Sequence, residues 1–318
     1  MTTQQVVKEI EIKFGINSIL AKRLVLLSNN KNIKEYVCQF LIDKPKPFIK
    51  WVGGKRQLLN QFRELKLYPP ERFNPIKNRY FEPFVGGGAV FFDLMPINAT
   101  ISDLNNELIT TYVVIRDNAE KLIKSLKKHK VNKEYFLKVR ARDISKLSDV
   151  EIASRFIFLN RTSFNGLYRV NKKGQFNVPF GKYNNPLICD EKNLKRISIS
   201  LKNIEIKHQD YKKAVKDAKK GDFIYFDPPY YPISKTASFT SYTAEAFLEK
   251  EQIELRDTFV ELHKRGCFVM LSNSDTPFIN EIYSKIKGVK INKIVAGRAI
   301  NSKASGRGKI TEVLLTNY

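Results

Sequence analysis

Apolar positions along the chain recur at two periods, and the sharpest strand-like stretch is Asp222-Phe223-Ile224-Tyr225-Phe226-Asp227-Pro228-Pro229-Tyr230. Its aromatic and β-branched run predicts a buried strand. Two prolines end it, because proline cannot donate to a sheet ladder and forces the preceding residue extended. Asp227 and Tyr230 are therefore held on stiff backbone at a strand's C-terminal edge, where open α/β sheets bind ligands. Upstream, Arg79-Tyr80-Phe81-Glu82-Pro83-Phe84-Val85-Gly86-Gly87-Gly88 reads as strand and glycine loop, followed by an apolar helix. Ile101-Ser102-Asp103 predicts a second short strand that ends in an acid.

Elsewhere the period is helical. Helices are predicted over 120–129, 133–143, 151–159 and 244–264, with further strands over 267–272 and 310–316. Between the first three helices and the Asp-Pro-Pro strand, Lys173-Gly174 predicts a hairpin turn joining strands at 167–170 and 175–178. Residues 1–44 read as two or three short helices, and Pro45 and Pro47 mark a boundary. The expected organisation is an N-terminal helical extension (1–44), a catalytic α/β sheet in two parts (45–112 and 210–318), and an inserted helical plus β-hairpin domain (113–209).

Composition narrows the partners. The 318 residues are 42% hydrophobic and 12% aromatic, enough for a real core, yet they carry a net charge of +24. Such an excess predicts a polyanionic partner, most simply nucleic acid. The three cysteines, Cys38, Cys189 and Cys267, are widely spaced, and with three scattered histidines they form no zinc pattern. Charges within Met1-Thr2-Thr3-Gln4-Gln5-Val6-Val7-Lys8-Glu9 stand where a signal peptide needs its apolar stretch, and no run reaches the ~20 apolar residues of a membrane span. A cytoplasmic protein is expected.

Three segments carry candidate chemistry. Lys50-Trp51-Val52-Gly53-Gly54-Lys55 places a double glycine before a basic helix start, without the spacing of a phosphate loop. Gly86-Gly87-Gly88 permits a cofactor to approach a strand-to-helix turn, but Phe91 occupies the position of the third glycine of a dinucleotide fingerprint. Asp103 suits two ribose hydroxyls, or else an N-cap for the helix beginning near Asn105. The hairpin interleaves Arg, Lys, Asn and aromatic residues, a mixture suited to base edges, phosphates and wedging between bases. A solvated basic hairpin has the same composition. Ser238-Phe239-Thr240-Ser241-Tyr242 reads as a loop over the site, and the small, basic stretch 301–309 as a loop able to cradle a phosphate backbone.

With these motifs in this order, the chain from about Pro47 to Tyr318 resembles the class alpha, Dam-type site-specific DNA adenine-N6 methyltransferases of restriction–modification systems that modify GATC. The resemblance implies a Rossmann-like methyltransferase sheet, S-adenosyl-L-methionine as methyl donor with no metal, and double-stranded DNA as substrate. It implies cofactor contacts at Trp51, Lys55, Phe84, Gly86, Gly88, Asp103 and Asp227. Asp227, the Pro228 carbonyl and Tyr230 match the target-adenine motif, while Phe164, Asn165, Leu167, Arg169 and Pro179 match the recognition segment. Phe164 stands where the family often has Tyr, which keeps the wedge and loses its hydroxyl. A sulfonium methyl is already electrophilic, so in-line transfer to a flipped-out base is implied, with no covalent enzyme intermediate. A monomer is expected, beside a cognate endonuclease that it need not touch. RNA adenine, cytosine N4 and protein glutamine are alternative amine substrates, and a nonenzymatic DNA-binding module is an alternative of another class. The family associates Ser with cytosine and Asn with glutamine at the position of Asp227.

Overall fold

The short apolar runs at 80–82, 99–103, 223–226 and 268–274 become neighbouring strands buried on both faces, as parallel strands in a covered sheet must be, while the edge strand at 205–208 is largely exposed. The computed structural model describes residues 3–14, 21, 25, 44–74, 77–171, 173–233, 247–297 and 309–318. Its seven-stranded sheet has the order β3-β2-β1-β4-β5-β7-β6. These strands are β1 Tyr80–Glu82, β2 Ala99–Asp103, β3 Glu205–His208, β4 Phe223–Phe226, β5 Phe268–Ser274, β6 Lys290–Gly297 and β7 Lys309–Thr316. The first five are parallel, and β7 runs antiparallel between β5 and β6. Chain order reverses between β1 and β4, which makes their C-terminal ends the switch point where such sheets open a crevice. The fold is Rossmann-like α/β.

Strand alternation sorts side chains into two cores. Tyr80, Phe223, Tyr225 and Met270 enter one, and Phe81, Ile224, Phe226 and Leu271 enter the other. The first face is covered by α2 Leu59–Glu64, α3 Ala89–Leu94, α4 Asn106–Leu126, α5 Lys133–Arg140, α6 Asp149–Thr162 and α7 Glu191–Leu201. The second is covered by α8 Tyr211–Ala214, α9 Glu249–Lys264 and α10 Pro277–Ser284. The first helix, α1 Thr3–Phe14, represents the N-terminal extension and buries Val7 and Ile10; most of the remaining 1–44 region lies outside the described residues.

Described apolar side chains from 113–209 share the core of the sheet. Phe136, Phe156, Phe158 and Val178 join the same apolar cluster as Tyr80 and Ile101. β3 also falls within this range, and it pairs in parallel with β2 at the sheet edge. The helix expected over 120–129 begins much earlier, at Asn106, and carries a kink at Asn118. The anticipated hairpin forms as a turn held by a bridge between Val170 and Phe176 rather than as two strands. The Asn171 side chain accepts from the Lys173 and Gln175 amides, beside cross-arm backbone bonds from the Asn171 amide to Gln175 at 2.9 Å and from the Asn177 amide to Arg169 at 3.0 Å.

One buried ion pair ties this region to the start of α4. Arg155 on α6 donates to Glu107 on α4 at 2.8 Å and to the carbonyls of Val139 and Arg140. Tyr168 donates to the other Glu107 oxygen at 2.8 Å. Removing one partner of such a pair leaves an uncompensated buried charge, so Arg155→Met is expected to destabilise the protein by about 3–5 kcal/mol. Adding Glu107→Gln should restore much of that loss in urea unfolding. A single variant as stable as the parent would contradict this role.

Candidate active site

Asp227 follows β4 directly, and its turn is fixed from behind. Gln252 on α9 donates to the Pro229 carbonyl at 3.0 Å and accepts from Asn273 at 2.9 Å. Asn273 accepts from the Tyr231 amide at 3.1 Å, and Ser274 donates to the Tyr231 carbonyl at 2.7 Å. Gln252 and Asn273 are wholly buried. Two amides taken out of water must find partners, and these find them in the backbone of the Asp-Pro-Pro-Tyr turn. The strand expected over 267–272 is present and extends to Ser274, which brings Asn273 and Ser274 onto this turn.

Lys55 and Asp227, distant in sequence, meet at 2.8 Å. Lys55 is only 3% exposed and also donates to the Gly53 carbonyl. Its ammonium lies 4.9 Å from the centre of the Tyr230 ring, within cation–π range. The Tyr230 hydroxyl donates to Glu312 on β7 at 2.9 Å. Burial pushes the Asp227 carboxyl up to about 6 against the opposing pull of Lys55, and the negative Glu312 adds to the rise. Glu82, at the end of β1, accepts from Tyr80 at 2.8 Å. Burial carries its carboxyl to about 8; the Tyr80 bond opposes this and the charge of Asp227 reinforces it. Glu82 and Glu312 were missed as site residues. For Glu82 the available signal was an acid inside an otherwise apolar strand.

The glycine loop has a packing reason besides ligand approach. A Cβ on Gly86 would fall 2.6 Å from the Trp51 indole, and one on Gly88 would fall 2.6 Å from the Tyr112 hydroxyl. Both glycines also have positive φ. Asp103 accepts from the Gly86 amide at 3.1 Å and from the Asn105 amide at 2.9 Å. It does not cap α4, because Asn105 does so by accepting from Leu108 at 3.0 Å. Burial raises the Asp103 carboxyl, while the Asn105 and Gly86 amides oppose the rise. Phe84 stacks on Tyr211 and meets Phe226 and Phe247 edge-on, on the sheet face opposite to Trp51.

The recognition-like segment is joined to this site through Trp51, whose ring stacks on Tyr168 at 5.9 Å. Buried Asn160 clamps the Lys50 backbone through both its amide and its carbonyl, and binds the Gly166 carbonyl at 2.9 Å. Around inward-facing Tyr168, Phe164, Arg169 and Pro179 are exposed, while Asn165 and Leu167 are half-buried. Arg169 donates to Asn177, and the Phe164 amide donates to the Pro179 carbonyl. Lys50 lies over the Tyr183 ring at 4.7 Å, beside this exposed row. The loops at 238–242 and 301–308 lie outside the described residues. Among the described residues no cluster of His, Cys, Asp or Glu has the geometry to hold a metal, and no helix is long and apolar enough to cross a membrane.

Residues 51–300 match the family described as D12 class N6 adenine-specific DNA methyltransferase. The type II methyltransferase M1.LlaDCHI of Lactococcus lactis subsp. cremoris is 50% identical over 281 residues, covering 86% of this chain and 95% of the relative. M.MjaIII of Methanocaldococcus jannaschii, another type II methyltransferase, is 43% identical, covering 86% of this chain and 99% of the relative. The DNA adenine methylase of Escherichia coli K12 is 30% identical, covering 85% and 95% respectively. A match across most of the chain, spanning the glycine loop and the Asp-Pro-Pro-Tyr turn alike, identifies it as an adenine-specific DNA methyltransferase of the D12 N6 class.

Proposed function

We propose that the Asp227–Tyr230 turn receives a flipped-out adenine of a GATC site in double-stranded DNA and methylates its N6 from S-adenosylmethionine. The observation that carries this reading is the cluster of Lys55, Asp227 and Tyr230 at the switch point, with a 2.8 Å ion pair at its centre. Asp103 fits the ribose of the donor. Its two oxygens offer about four acceptor sites; the Gly86, Asn105 and Leu104 amides engage it from the loop side, leaving acceptor capacity for the ribose. Trp51, Phe84, Gly86 and Gly88 would line the remainder of that site. When bound, the donor supplies a methyl carbon that is already electrophilic.

The protein's work lies on the adenine side. An exocyclic N6 lone pair delocalised into the ring is a poor nucleophile. Lys55 engages one Asp227 oxygen; the other, with the Pro228 carbonyl, accepts the N6 hydrogens and favours a localised lone pair. Gln252 takes the Pro229 carbonyl and so stiffens the peptide that presents Pro228. The same carboxylate accepts the proton shed by N6, and at about 6 it is a stronger base than an ordinary aspartate. Tyr230 stacks on the base.

Phe164, Asn165, Leu167, Arg169 and Pro179 form the recognition surface, within a module at 113–209 set between the two parts of the catalytic sheet. The names of the type II relatives support a place in restriction–modification, beside a separate endonuclease, and the working unit is taken as a monomer.

Asp227→Ala should lower the single-turnover rate by roughly 10²-fold or more, the scale of a lost preorganised contact, while DNA binding in a mobility-shift titration stays near that of the parent. Near-parental turnover would sink the assignment. Because Asp227 must be ionised to accept, the rate should fall as pH drops through about 6. Lys55→Met removes the cation that favours the carboxylate, so this acidic limb should move to higher pH. A pH–rate profile with an unmoved limb would remove Asp227 as its source. With labelled donor and two duplexes differing only in a GATC site, digestion to nucleosides should yield N6-methyladenine from the GATC duplex alone. Equal label in both would discard GATC.

A further inference from the structure

Tyr230 is gripped by a residue 82 positions away, on a strand that no part of the Asp-Pro-Pro-Tyr motif predicts. β7 is antiparallel to β5, and Glu312 near its start pairs with Ser274 at the C-terminal end of β5. That reversal delivers a carboxylate to the same edge where β1, β2, β4 and β5 end. Glu312 there accepts the Tyr230 hydroxyl at 2.9 Å. Lys55 stands over one face of the ring at 4.9 Å and binds Asp227 at 2.8 Å. The ring is thus held at its tip and on one face.

We infer that Glu312 is a positioning residue for methyl transfer: it fixes the Tyr230 ring so that its remaining face meets the target adenine beside Asp227. This rests on the proposed reading of Tyr230 as the stacking residue. Glu312 has little to do for the strand itself. β7 is held by its ladders to β5 and β6 and by the buried side chains Val313, Leu314 and Leu315. Nor is the hydroxyl bond needed to anchor the turn, since Gln252, Asn273 and Ser274 hold its backbone independently.

The test compares kcat and KM for DNA among Glu312→Ala, Glu312→Gln, Tyr230→Phe, Tyr230→Ala and the double variant Glu312→Ala/Tyr230→Phe, with a thermal melt of each. Glu312→Ala should lower kcat about tenfold, the scale of one hydrogen bond to a charged group, with KM for DNA little changed. Glu312→Gln still accepts the phenol hydrogen and should recover most of the loss. Tyr230→Phe should match Glu312→Ala, and the double variant should be no worse than either. With 2-aminopurine at the target position, Glu312→Ala should give brighter emission in the complex than the parent, because the extruded base is less well stacked. Additive losses in the double variant, or a loss confined to KM, would overturn the inference. If Tyr230→Ala is impaired and Glu312→Ala is not, the inference alone falls. If Tyr230→Ala keeps parental kcat, the stacking reading falls and takes the inference with it.

Discussion

A lysine ammonium removed from water must be compensated where it lies, and in this protein Asp227 compensates it. Two charges withdrawn from solvent are stable only when geometry and additional hydrogen bonds offset their desolvation. Lys55 meets both conditions through the Asp227 carboxylate and the Gly53 carbonyl. The pair joins a loop that precedes the sheet to the strand at its centre. The loop is itself tied to α6 by Asn160 at Lys50 and to the recognition-like segment by Trp51 against Tyr168. The ion pair is therefore linked by direct contacts from the sheet edge to the recognition-like segment.

The charge balance around that pair is economical. At neutral pH Asp227, near 6, is mostly ionised, whereas Glu82, near 8, is mostly protonated. Glu82 thus sits close to Asp227 and Lys55 without adding a second full negative charge. The arrangement has a thermodynamic side. Between roughly pH 4, where an unfolded glutamate loses its proton, and about 8, native Glu82 keeps a proton that the unfolded chain has released. Its contribution to stability therefore declines as pH rises across that window.

The parts of the site readable in the sequence are those made by consecutive residues. Asp222 to Tyr230 combined an apolar run with two prolines, and local rules sufficed to put Asp227 at a strand end. The glycine loop and Asp103 were equally local, whereas the Rossmann-like sheet followed from the family resemblance. Side chains that hold those pieces together were not readable, because their partners are remote. Glu107 meets Tyr168 61 positions away, and Tyr230 meets Glu312 82 positions away. The capping of α4 shows a finer failure: Asp103 and Asn105 are both good caps, and only the backbone course reveals that Asn105 takes the role. The hairpin is present but shorter than expected: its arms share one antiparallel bridge and two backbone bonds, while the Asn171 side chain takes the amides of the turn.

The indole of Trp51 is the only one in the chain. It lies against Gly86 of the glycine loop on one side and stacks on Tyr168 of the recognition-like segment. Light absorbed at the red edge of the aromatic band is consequently absorbed at one place, the joint between the two halves of the site. The molecule carries its single indole where the glycine loop meets the recognition-like segment, with no second tryptophan to dilute what it reports.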